Sequence, residues 1–108
     1  MFIGAEDMNE ILVMSTADTL DLAQKIAFAL VQASEAACVN IVPGVRSIYR
    51  WEGKVCNEGE FLLLIKSSSE KFEAIKSRIH LIHTYQLPEV IAVPIIAGDS
   101  AYLRWLHA

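Results

Sequence analysis

His83-Thr84-Tyr85, followed by Leu87-Pro88-Glu89, sets an imidazole, a phenol and a carboxylate in one short stretch. Imidazole with carboxylate suits Cu(II) or Zn(II). The same groups also suit a plain hydrogen-bonded brace between His83 and Glu89 at a subunit cleft, and no metal-ligand motif decides between the two. Cys38 and Glu60 are the other metal candidates. Cys38 opens a long strand, where a thiol is more often a small buried hydrophobe than a ligand. Glu60 shares a later strand with Lys66; facing inward or into an interface, both need partners, and an ion pair across subunits is one use for them. His80, three residues before His83, reads as solvated, and Cys56 carries no assigned role.

Tyr49, Trp51 and Tyr85 could line a cleft for a small molecule, although aromatics on a long hairpin more often pack against another subunit, which is the reading for Trp51. Catalysis finds little support. Val42-Pro43-Gly44-Val45 with Arg50 has the composition of a phosphate cradle, but it lies inside a strand whose N–H groups are committed to a ladder instead of leading into a helix. There is no Ser/His/Asp, HExxH, Walker or GxGxxG pattern. A non-catalytic protein with no required cofactor is expected.

The elements that must position these groups belong to one domain, because 108 residues supply one core. Hydrophobic residues at 54% and charged ones at 20% exclude disorder for the body of the chain. A net charge of −4 without any basic run argues against nucleic acid. The longest apolar stretches are strand-sized, so no membrane span is expected, and residues 1–10 do not read as a secretory signal. Two cysteines outside any CxxC pair point to reduced thiols in a cytoplasm, with a Cys38–Cys56 disulfide left open.

Residues 1–9 read as a loose tail and 10–108 as the domain. Ile11–Thr16 suits a strand buried on both faces. Asp18 is the expected cap of a helix whose stripe runs Leu20, Ala23, Ala27, Leu30 and Ser34, widened by Leu22, Ile26, Ala29 and Ala33. Val39–Trp51 forms a strand with a bulge at Pro43-Gly44, Glu52-Gly53 turns, and Lys54–Lys66 returns. Ser67 and Glu70 have capping-box spacing for a helix through Phe72, Ile75, Ile79 and Ile82. A strand over Val90–Ile96 and a short helix after Gly98-Asp99 complete the chain.

Strand, helix, strand, strand, helix, strand describes an α+β fold, the ferredoxin-like split βαβ sandwich, with an extended hairpin of the second and third strands and a short C-terminal helix. Proline falls only in the second and fourth strands, which are the edges of that sheet. The hairpin is longer than the other strands can cover, so its excess from Arg46 to Glu58 should pair with copies of itself in a closed homo-oligomer. Arg46, Tyr49, Trp51, Tyr102 and Trp105 are the expected interface residues.

The run Ala37-Cys38-Val39-Asn40-Ile41-Val42-Pro43-Gly44-Val45-Arg46-Ser47-Ile48-Tyr49-Arg50-Trp51-Glu52-Gly53-Lys54 closely resembles the CutA family of divalent-cation tolerance proteins. Ser15-Thr16-Ala17, Glu60, Ile65-Lys66-Ser67, His83-Thr84-Tyr85, Leu87-Pro88-Glu89, Gly98-Asp99 and Tyr102-Leu103-Arg104-Trp105 continue the likeness in order. The resemblance implies a cytoplasmic or organellar homotrimer of ferredoxin-like subunits, similar in architecture to the PII signalling trimers and linked to tolerance of copper and other divalent cations. A PII-like signalling or scaffold trimer, binding a small molecule or protein at intersubunit clefts, is the alternative it leaves. Two departures matter: Ser15 stands where some bacterial members carry cysteine, which removes a soft Cu(I) ligand, and Thr84 replaces a proline.

Overall fold

Val13 and Ile65, both fully buried, face each other across the two central strands, and the fold grows outward from them; the first strand is buried on one face only, not on both as expected, with Leu12 and Met14 half-buried on the other. The computed structural model describes residues 9–107. Of the expected tail, residues 1–8 lie outside that range, while the Asn9 carbonyl accepts from the Ser69 N–H at 2.6 Å.

The first strand, β1 (Glu10–Ala17), leads to helix α1 (Leu20–Gln32). Thr19, not Asp18, caps that helix: its hydroxyl accepts from the Leu22 N–H at 3.1 Å, satisfying an otherwise orphan donor. Leu22, Ala23, Ile26 and Leu30 are buried, whereas Leu20 is exposed, because it lies roughly 200° around the helix from Leu22.

The hairpin follows as β2 (Cys38–Trp51) and β3 (Lys54–Ser68). Its register breaks between Val42 and Val45, the expected bulge at Pro43-Gly44, and Gly44 takes a φ of 77° that favours a residue without Cβ. Glu52 and Gly53 both have positive φ, 50° and 81°, as a tight primed hairpin turn needs.

A 3-10 turn over Ser69–Lys71 delays helix α2 until Phe72, and it ends at Ile82. The capping box does not form: Ser67 is buried, and its hydroxyl donates instead to the Glu35 carbonyl at 2.6 Å. The last strand is shorter than expected, β4 (Ile91–Pro94), although the Ile95 N–H still donates to the Glu10 carbonyl at 3.0 Å. Helix α3 (Ser100–His107) starts where Asp99 accepts from the Tyr102 N–H at 3.1 Å.

The sheet order is β2-β3-β1-β4, with proline in both edge strands and in neither central one. All registers are antiparallel. Helices α1 and α2 cover one face, sealing Ile11, Val13, Leu63 and Ile65 against Ile26, Leu30, Ile75 and Ile79. Ser15 belongs to this covered face by strand alternation, and its buried hydroxyl has no hydrogen-bond partner. Arg78 grips Glu35 with two 2.9 Å bonds, tying α2 to the turn before β2.

The opposite face is nearly bare. Strand alternation puts Leu12, Met14, Leu62 and Leu64 there, flanked by Val42 on β2 and by Ile91 and Val93 on β4. Helix α3 shelters one end of it, where Lys66 Nζ lies 5.9 Å above the Tyr102 ring and His107 Nε2 meets Glu10 at 2.5 Å. Pairing of β1 with β3 ends at Ala17 and Phe61, so from Glu60 outward the hairpin stands beyond the sheet as an arm.

Candidate functional site

Where the arm leaves the sheet, the chain between α2 and β4 folds back towards it. From that segment Tyr85, Gln86, Leu87 and Glu89, with the arm's Ser47–Trp51, border an open cleft of about 680 Å³, lined also by Thr16 and Glu60.

His83 caps the C-terminus of α2, and its backbone N–H donates to the Ile79 carbonyl at 2.8 Å. Its ring is clamped on both sides. The Tyr85 N–H can only donate, so Nδ1, 3.1 Å away, accepts; the Thr16 carbonyl can only accept, so Nε2, 2.7 Å away, carries the proton and donates. The geometry thus selects one neutral tautomer and leaves no free lone pair for a metal. The Tyr85 ring lies tilted against the imidazole, centroids 4.4 Å apart, and its hydroxyl donates to Glu60 Oε2 at 2.5 Å. Burial first, and then the Glu60 carboxylate, raises the Tyr85 phenol well above its ordinary pKa.

A chain of contacts therefore runs from the Thr16 carbonyl through His83 and Tyr85 to Glu60. Glu60 is only 8% exposed, and no cationic side chain among the described residues pairs with it. The predicted site residues divide. Glu60, Tyr85, Glu89, Tyr49 and Trp51 line the one cleft, with His83 behind it. Glu89 is exposed at the rim; the hydrogen bonds of His83 go to Thr16 and Tyr85, not to Glu89 as a brace would require.

Cys38 and Lys66 face each other elsewhere on the sheet. Lys66 is six residues along β3 from Glu60, about 20 Å, so no ion pair joins them within one chain. Cys38 is half-buried, not fully buried, because β2 is an edge strand; Cys56, far along the arm opposite Tyr49, is half-buried too, and both are free thiols. No group of three or more His, Cys, Asp or Glu able to hold a metal occurs among the described residues. Arg46, Tyr49, Trp51, Tyr102 and Trp105 are all exposed. Sequence reasoning missed Gln86, Leu87, Ile48 and Arg50 in the cleft wall and the Thr16 carbonyl; only the position of Thr16 at the end of a central strand could have hinted at it.

Residues 11–108 match the family described as CutA1 divalent ion tolerance protein. The chain belongs to that family. A CutA divalent-cation tolerance protein of Thermus thermophilus is 46% identical over 91% of this chain and 95% of its own length. The solved Thermus thermophilus Cut A1 structure superposes with a TM-score of 0.89 at 46% identity, covering 91% of this chain and 95% of that one. The chloroplastic CutA of Arabidopsis thaliana is 45% identical over 95% of this chain, which spans 57% of that relative's length. That relative is named chloroplastic, and a solved CutA of Archaeoglobus fulgidus is named periplasmic; in this chain no helix among the described residues is long and apolar enough to cross a membrane. The α+β sandwich expected from the strand order, with its extended hairpin and short C-terminal helix, is the one observed, and it matches the solved CutA1 structure.

Proposed function

We propose that this protein works as a homotrimer in divalent-cation tolerance, binding or responding to ions such as Cu(II) without catalysing a reaction. The observation that carries the assembly is the bare sheet face: Met14, Leu62, Leu64, Val42, Ile91 and Val93 form an apolar surface that a single chain leaves to water. Contiguous patches of this kind mark interfaces. The free edges, β2 and β4, indicate the mode of pairing. An arm paired with a copy of itself is a two-fold contact that closes at a dimer, whereas β2 of one subunit beside β4 of the next is heterologous and can close a three-membered ring. The β2-to-β4 contact is therefore favoured over arm on arm.

Cation binding in this reading is modest. Coordination at His83 must displace either the Thr16 or the Tyr85 hydrogen bond, and Ser15 offers no thiolate. Two free, widely separated thiols favour a reducing, cytoplasmic setting. Sedimentation at micromolar concentration should give a trimer, weakened when Trp51→Ala is combined with Ser47→Pro; a stable folded wild-type monomer overturns the assembly. Titration of metal-free protein with Cu(II) should show stoichiometric uptake that is lost in His83→Ala. Weak surface binding, equal in both, overturns the metal reading. A second reading is favoured by the cleft itself: a PII-like signalling or scaffold trimer taking a small molecule beside Glu60, in a space of ordinary ligand size.

A further inference from the structure

We propose that the cleft at the base of the arm binds an organic ammonium ion, whose N–H groups donate to Glu60 and whose apolar stem lies against Trp51 and Leu87. The inference rests on the reading of the cleft as a ligand site and names the chemistry of its ligand. Glu60 is the starting point. A carboxylate 8% exposed is normally matched by a cation, because its desolvation is otherwise uncompensated. Here the described residues supply one donor, the Tyr85 hydroxyl on Oε2.

The chain's own cations are engaged elsewhere or turned away. Lys66 sits over Tyr102, and Arg46 lies over Gly59, on the other face of the hairpin by strand alternation. Arg50 reaches the cleft wall without pairing to Glu60, and the wall's charge stays negative, with Glu60 and Glu89 against that single guanidinium. Tyr49, Trp51 and Tyr85 add aromatic faces, whose negative quadrupoles attract a cation and repel an anion. Leu87 gives apolar area for a stem. A free metal ion fits this wall poorly, since it lacks a third ligand group.

The test compares 2-phenylethylammonium with the neutral 2-phenylethanol, by calorimetry on the full chain in its assembled state. The amine should bind at least about tenfold more tightly than the alcohol, about 1.4 kcal/mol, and Glu60→Gln should abolish the difference. Should Glu60→Gln fail to fold, Leu87→Ala, which lies off the arm, serves instead and should weaken amine binding at least about threefold through lost apolar contact with the stem. Equal affinity for amine and alcohol in the wild type overturns the ammonium assignment but leaves the cleft as a ligand site. Absence of binding by both up to about 10 mM removes the assignment and the ligand-site reading together. Amine binding unchanged in Glu60→Gln or in Leu87→Ala also overturns the proposal.

Discussion

Replacing Tyr85 by Phe deletes one oxygen and tests the polar chain that organises the cleft. The ring can keep its tilted contact with His83, 4.4 Å between centroids, so the loss falls on the 2.5 Å hydrogen bond to Glu60. Hydrogen bonds to charged groups contribute about 1.5–3 kcal/mol, and because the Tyr85 ring is only half-buried, the lower end applies, about 1.5 kcal/mol. For a domain of this size that lowers Tm by roughly 6–12 °C. Protein concentration must be held fixed, since association and folding are linked. The alkaline limb gives a second readout. Burial and Glu60 raise the folded-state phenol above its unfolded value, so the stabilisation is fully present below about pH 10 and is lost as pH rises beyond it. The slope is at most about 1.4 kcal/mol per pH unit, and less because solvent screens a partly exposed ring. Thermal unfolding at neutral pH, with denaturant titrations from pH 9 to about 11, measures both effects. In a double-mutant cycle the cost of Tyr85→Phe should shrink when Glu60 is Gln, since the amide accepts more weakly than the carboxylate. A Phe variant as stable as wild type within about 0.3 kcal/mol, with an unchanged alkaline slope, would refute the account of Glu60 as a carboxylate held by Tyr85.

Ser15→Ala removes a buried hydroxyl without a partner and should raise stability by about 1 kcal/mol in denaturant unfolding; a loss of that size would show that the hydroxyl is satisfied. Glu52→Asn puts a residue that tolerates positive φ at the first turn position and should stabilise the arm by about 0.5–1 kcal/mol, read as a higher denaturation midpoint at constant slope. Thr19→Ala should cost about 1 kcal/mol and Asp18→Ala much less, because Thr19 makes the cap.

The element order was legible in the sequence because it rests on local rules that need no neighbours. Alternation marked the strands, proline marked β2 and β4 as edges, Pro43-Gly44 marked the bulge, and Glu52-Gly53 marked the turn. The excess length of the hairpin was legible too, as a count of residues against what β1 can cover. Choices between adjacent polar groups were not. Thr19 over Asp18 as cap, and Ser67 bonding Glu35 instead of closing a capping box, depend on where a backbone carbonyl or N–H ends up after packing. The site depended on packing more heavily still. His83, Tyr85, Glu60 and Cys38 were all visible as residues able to do chemistry, but type and spacing allow a metal site and a brace equally. Only tertiary structure set the contacts, bringing His83 to a main-chain carbonyl far away in sequence, which carries no side-chain signal, and turning Tyr85 onto a carboxylate on another strand while leaving Cys38 at the far end of the sheet. Secondary structure follows from the periodicity of one segment, whereas a polar cluster follows from which segments meet, and burial then sets which of its groups stay charged, paired or free.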